Sequence, residues 1–412
     1  MRSLINAGNW KTASNERLND AERWTYTAAD VDAANVYTAG LHLGVYDGWA
    51  VVNGDKFTRQ SVLHHPLALP VNLKQTAGRP MLVTEGGWIM PNGFGAEGPF
   101  LISAYSSLSG VAGYYWFTTG DEGWAPPQSG NGYLPSQQKW SFADPDVLGT
   151  FPAAALAYRL GYLKRGTPVV EERRALQDLW TRKPPVLVEA TSFDPNRDDA
   201  GLLARLGFAS RPSALAFLVG PATVAFGAEV SSATVAPLKS TIEPDRVRAN
   251  TGELVWNSKL GICTVDAPRV QGVAAHFAQS PSHQLSDVRF TSSNAFGAAL
   301  AVSMDGLPLN RSRRVLVQFG TQSRPTGWSE ATARFSVPGQ TAVIEGLTVT
   351  SFGRAPWQVD SAKLEVAITN PSLASATALD MNGMPTHQVA LRRDGPQVAF
   401  RFPEATMYVL LR

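Results

Sequence analysis

The chain has 412 residues, a formal net charge of +2 and only 17% charged residues, so it carries no electrostatic footprint for nucleic acid or an anionic membrane surface, and its length suits two or three domains. A single cysteine, Cys263, excludes an intrachain disulfide and a cysteine metal cluster. The six histidines (His42, His64, His65, His276, His283 and His387) form no HExxH-type pair, so neither a metal nor a cofactor is expected.

In chain order, the first 165 residues alternate short apolar runs with longer amphipathic or loop stretches. The runs are Leu4–Ala7, leading into Asn9-Trp10, then Val31–Tyr37 (VDAANVY), Met81–Glu85 and Val111–Phe117 (VAGYYWF). Each is short, bounded by turn residues and without a clean polar face, as buried parallel strands are. Helices are predicted within GAEGPFLISAYSSLSG, where Pro99 suits a first turn, and over Pro152–Leu163. Glu97 is placed at the start of the first of these, where a carboxylate meets the positive end of the helix dipole. Asn9, Tyr37, Glu85 and Trp116 follow one another at intervals of 28, 48 and 31 residues. Strand–helix units of about 30 residues fit a (β/α)8 barrel, of which four units are present; no GxGxxG follows any strand, as a dinucleotide fold requires.

Residues 166–215 are mixed and charged (VVEERRALQDLWTRKPP, DPNRDDAG) and are expected to be a linker or peripheral segment. From residue 216 the pattern becomes short alternating runs separated by turn residues, with hairpin signals at MDG (304–306) and MNG (381–383). The fold class expected is therefore α/β plus all-β. A partial (β/α)8 TIM barrel (1–165) is followed by a small β-domain (216–282) and a β-sandwich (283–412). No run approaches the roughly 18 apolar residues of a membrane span, and MRSLINAGNWKTAS lacks the apolar core of a signal peptide.

In a barrel of this kind the chemistry sits at the C-terminal ends of the strands. Those ends carry Asn9 and Trp10, Asn35 and Tyr37, Glu85, and Trp116. Glu85 closes the buried stretch PMLVTEGGW, and a carboxylate in such a place is seldom buried without a partner. A carboxylate among tryptophans and a tyrosine suits a sugar, whose apolar ring faces stack on indoles while its hydroxyls bond carboxylates and amides. Gly86 and Gly87 are expected to keep side chains out of the sugar's way. Trp88 lies three residues past Glu85. The long loop TAGLHLGVYDGWAVVNGDKF adds His42 and Trp49 as outer contacts, and Asp121, Glu122 and Trp124 follow the last strand on the same rim. In the β-rich half, VDAPR, RPTGW and RAPW are expected to lock hairpins or dock domains.

TEGGW, GYYWF and NVY together resemble strands seven, eight and six of the retaining (β/α)8-barrel glycoside hydrolases of clan GH-A. FADPDVLGTFPAAALAYRLGYLKRG resembles the closing helical region of bacterial members with trailing β-domains, and NTGELVWN and RRVLVQFGTQSRPTGW resemble those domains. The resemblance implies a glycosidase acting on O-glycosidic bonds of oligo- or polysaccharides, with Glu85 as nucleophile, Tyr37 bonding it and Trp116 under the reacting sugar; Asn35 is a looser match. It also implies a secreted or periplasmic protein. The clan's acid/base glutamate stands on strand four, which has no counterpart here. Glu16 and Glu22 fall in a polar helical stretch instead. The expectation is accordingly of a fragment, with Met1 an internal methionine or a misassigned start. The alternative is a non-catalytic carbohydrate-binding or structural protein derived from such an enzyme.

Overall fold

The computed structural model describes residues 3–10, 14–118, 135–189, 212–337, 339 and 341–412. The protein is mixed α/β, with strand predominating and several antiparallel sheets. Among the described residues no helix is long and apolar enough to cross a membrane.

The N-terminal part is organised on three parallel strands, β1 (Asp32–Thr38), β2 (Met81–Trp88) and β3 (Gly113–Trp116), which lie side by side in chain order. The strand expected at Leu4–Ala7 is reduced to one parallel bridge, Asn6 to Val31, extended by a 2.8 Å bond from the Asn35 N–H to the Asn9 carbonyl. Helices α1 (Asn19–Tyr26), α2 (Glu97–Ser109) and α3 (Phe151–Arg159) are interleaved with the strands. Every residue of β1 is buried, which is why its sequence shows no alternation. Twelve of the thirteen residues of α2 are buried as well, and the helix stops at Gly110, whose φ of 79° supplies the left-handed cap.

The strands are not regular at the point that matters. The β1–β2 register slips between Ala34 and Asn35, and the β2–β3 register between Val83 and Gly86. Glu85 falls inside that slip. An irregularity of this kind re-aims a side chain that simple alternation would send to the other face.

Within the stretch expected as a linker or peripheral segment, the described residues 166–189 include a paired strand. Val170–Ala175 is a strand that pairs in parallel with Ala222–Ala228, which in turn pairs with Lys74–Thr76. Glu171 and Arg173 are exposed, but Glu172, Arg174 and Glu189 are buried against opposite charges, which composition does not reveal. Lys74 Nζ lies 2.7 Å from Asp20 and 2.9 Å from Glu172, and Arg23 bridges Asp32 (3.2 Å) and Glu189 (2.7 Å). Asp32 opens β1, so this network lies at the opposite end of the parallel strands from Glu85.

The C-terminal part is a sandwich of a nine-stranded and a five-stranded sheet around its own core. The nine-stranded sheet contains both Ile262–Ala267 and Gly297–Ser303, so the segments expected on either side of residue 282 share one sheet. MNG forms the tight turn expected of it, with Asp380 and Met384 bonded across it; MDG begins a longer connection between Gly297–Ser303 and Val315–Gly320. A second core runs without a break from β1, β2 and α2 into this sheet. A long hairpin, Ser323–Ser336 with Val343–Val359, leaves the sandwich and pairs with the Lys56–Phe57 strand of the loop after β1.

Candidate active site

Glu85 and Tyr37 meet. The Tyr37 hydroxyl donates to Glu85 Oε2 at 2.6 Å, joining the C-terminal ends of neighbouring strands. Register explains the contact: Asn35 is opposite Glu85 and Tyr37 opposite Gly87, so a tyrosine two residues on reaches back across the strand gap. Asn35 is buried, and its amide oxygen accepts from Thr84 Oγ1 at 2.8 Å. Asn9 contributes its carbonyl to Asn35, and Trp10, 49% exposed, accepts the Tyr26 hydroxyl on its own carbonyl at 3.1 Å.

The aromatic surroundings differ from the expectation. Tyr37 is met edge-on by Trp140, ring centroids 4.9 Å apart, and by Phe117 at 6.2 Å. These rings, with Ile89, form a small cluster of their own. Trp116 is instead turned to the helix side, against Trp88 (5.8 Å), Tyr114 (4.9 Å) and Phe151 (5.2 Å). Phe117, the next residue, lies on the Tyr37 side because adjacent strand residues point to opposite faces. The Phe117–Thr118 peptide is cis.

Trp88 is also a core residue. It is buried, and its indole N–H donates to Glu97 at 3.0 Å. Gly98 permits this packing, since a Cβ there would stand 2.9 Å from Trp88 and 3.0 Å from Trp116. Glu97 opens α2 but is fully buried, accepting from Ser61 Oγ (2.6 Å), the Val62 N–H (2.7 Å) and Trp88. Burial pushes its carboxyl up to about 7 against those three donors.

Gly86 is required by the packing of the neighbouring strands. A Cβ there would collide with the Tyr114 hydroxyl and approach the Val36 carbonyl oxygen to 2.7 Å. The glycine admits β3 and its tyrosine.

In the loop after β1, His42 is buried and held by Asp55 at 2.8 Å, with burial lowering its affinity for a proton. It braces the loop and presents nothing to solvent. Trp49 is 58% exposed and tilts against Trp140 at 6.4 Å, so Tyr37, Trp140 and Trp49 form a continuous aromatic line leading away from Glu85. Trp140 and Phe117 are the site residues that sequence reasoning missed. QQKWSF is polar up to Trp140 and carries no period, so no sequence pattern marked that ring. Glu122, Asp121 and Trp124 lie outside the described residues. Glu22, expected on a solvated face, accepts from Tyr26 at 2.8 Å.

Arg324 and Trp328 of RPTGW and Trp357 of RAPW lie in the long hairpin. The guanidinium stands 4.8 Å from the Trp328 ring and donates to the Pro91 carbonyl at 2.8 Å, docking the hairpin on the loop after β2. Asp266 of VDAPR bonds Ser286, and Arg269 bonds the Gly306 carbonyl, both within the sandwich. Among the described residues no group of three or more His, Cys, Asp or Glu side chains is arranged to hold a metal ion.

No family model, no curated protein and no solved structure matches this chain.

Proposed function

We propose that the protein is a glycoside hydrolase of the retaining (β/α)8 type, cleaving O-glycosidic bonds of oligo- or polysaccharides with Glu85 as nucleophile. The observation that carries the reading is the 2.6 Å bond from the Tyr37 hydroxyl to Glu85, made between the C-terminal ends of two parallel strands and walled by Phe117 and Trp140. A half-buried carboxylate fixed on one oxygen by a phenol keeps its other oxygen for attack on an anomeric carbon. The aromatic line from Tyr37 to Trp49 suits the apolar faces of sugar rings.

In this mechanism Glu85 displaces the leaving oxygen to form a glycosyl ester, and water then cleaves that ester with a second inversion. Natural leaving groups also need a proton donor, a role that this proposal gives to no described residue. A nitrophenolate leaves without one, so nitrophenyl glycosides isolate the step assigned to Glu85. In the full chain, Glu85→Gln should lower turnover of 2,4-dinitrophenyl β-glycosides by about 10⁴-fold or more, the scale of losing a nucleophile. Unchanged turnover would end the assignment.

The rival reading, a non-catalytic sugar-binding protein exported from the cell like the enzymes it derives from, is favoured by the exposed Trp49 face. It predicts binding of oligosaccharides with no turnover of any aryl glycoside by the wild-type chain.

A further inference from the structure

We propose that Lys139 is a positioning residue that latches the aromatic loop 44–51 against the floor of the site. Three successive carbonyls of that loop are caught by one dipeptide. Lys139 Nζ donates to the Asp47 carbonyl, Trp140 Nε1 to the Gly48 carbonyl at 2.9 Å, and the Lys139 backbone N–H to the Trp49 carbonyl at 3.1 Å. Ala50 and Val51 then pair with Gln138 and Gln137. Lys139 is itself held to the end of β2, where its carbonyl accepts the Met90 N–H at 3.1 Å. The loop it holds carries Tyr46 and Trp49, 47% and 58% exposed, beside Trp140 and the Tyr37–Glu85 pair.

A backbone ladder would have tied the loop without an ammonium. Lys139 is 3% exposed and, among the described residues, no carboxylate stands within ion-pair distance of its charge; Asp47 and Asp55 favour the charged form from farther off, and His42 faces the same cluster. Burial outweighs those two carboxylates and brings the amine down from 10.5 to about 8. The sign of the consequence follows from linkage. An amine that holds its proton less tightly in the closed loop than in water favours closure once the proton has left. Opening therefore becomes harder as pH rises through 8, and between pH 7 and 9 the open population should fall about tenfold. The latch rests on this geometry alone. Its role in setting Trp49 beside a bound sugar rests on the glycosidase reading.

Chymotrypsin cuts after tyrosine and tryptophan, so cleavage at Tyr46 and Trp49 in the full-length protein reports opening. Rates measured from pH 7 to 9 are referred to an unstructured peptide spanning residues 44–51, which cancels the pH dependence of the protease. Wild-type cleavage should fall about tenfold across that range. Lys139→Met, which lacks the donor, should be cut faster than wild type at pH 9 and show no such fall. Lys139→Arg keeps a donor and a fixed charge, so it should also lose the fall while being cut more slowly than Lys139→Met. Should Lys139→Met unfold, the comparison of wild type with Lys139→Arg carries the test. Lys139→Met cut no faster than wild type at pH 9, or Lys139→Arg cut as fast as Lys139→Met, overturns the latch; a wild-type rate flat with pH, or a fall retained by either variant, overturns the titration assigned to Lys139. Neither measurement involves turnover, so failure here and failure of the glycosidase reading are separately visible.

Discussion

Glu97 shows how a single side chain can mislead when read from its position in a helix. At the first residue of α2 a carboxylate ordinarily answers the helix dipole in water. Here it is sealed in the core and its carboxyl is pushed up to about 7 by burial. A folded-state value raised above the ordinary 4.5 means that the protonated form is the one the fold prefers. The stability it contributes is complete below pH 4.5 and is lost as pH rises through 7, a difference of about 3 kcal/mol at the plateau. Glu97→Gln keeps a carbonyl oxygen for the Val62 N–H and the Trp88 indole and removes the titration. Urea denaturation at pH 5 and pH 8 should show wild type losing about 2 kcal/mol relative to Glu97→Gln over that interval. Parallel pH dependence of the two proteins would contradict the assignment. Glu85 differs in kind: it is half-buried, at a strand end, and bonded by a phenol from the neighbouring strand.

Among the elements, the parallel strands were the legible ones. β1, buried throughout, lies one residue from the expected Val31–Tyr37, and β2 starts at Met81 as expected but runs past Glu85 to Trp88. Which ring of GYYWF faces Glu85 was not legible, because the slip between Val83 and Gly86 shifts the facing of side chains in a way no periodicity records. Nor was Val170–Ala175, whose Glu172 and Arg174 are buried; a rule that charge implies surface fails where charges are buried in opposite pairs. Gly86 offers a test at this scale. Gly86→Ala should cost about 1–3 kcal/mol, because the added methyl meets the Tyr114 hydroxyl and the Val36 carbonyl. The Tyr114 hydroxyl is buried with no hydrogen-bond partner among the described residues. Tyr114→Phe should therefore raise stability by about 1 kcal/mol and recover part of the Gly86→Ala loss in the double variant. Additive urea midpoints would show that the two residues do not meet.

Across the whole molecule, the sandwich and the parallel sheet are built as one body. A single core passes from Val36 and Met81 through Leu108 to Cys263 and Leu300, and the indole of Trp256 donates to the Leu63 carbonyl at 2.8 Å. The buried amide of Gln318 spans the same boundary, donating to the Thr150 carbonyl (2.7 Å) and accepting the Ala153 N–H (2.9 Å) at the start of α3. Gln318→Ala strands both backbone groups and should cost about 3 kcal/mol in a urea transition that stays single. Two separate transitions would mean that the bodies fold independently. The sequence showed a change of texture near residue 165 but not this continuity, since contacts between distant segments leave no local pattern. The same body fixes Glu85, the carboxylate proposed as nucleophile. The most direct measurement is to incubate the full chain with 2,4-dinitrophenyl 2-deoxy-2-fluoro-β-glycosides of glucose, galactose and mannose and to map the digested protein by mass. A fluoroglycosyl ester on Glu85 is expected from at least one of the three, released on transfer to water or an acceptor sugar. An adduct on another residue, or none from a chain that turns over the corresponding unfluorinated glycoside, would contradict it.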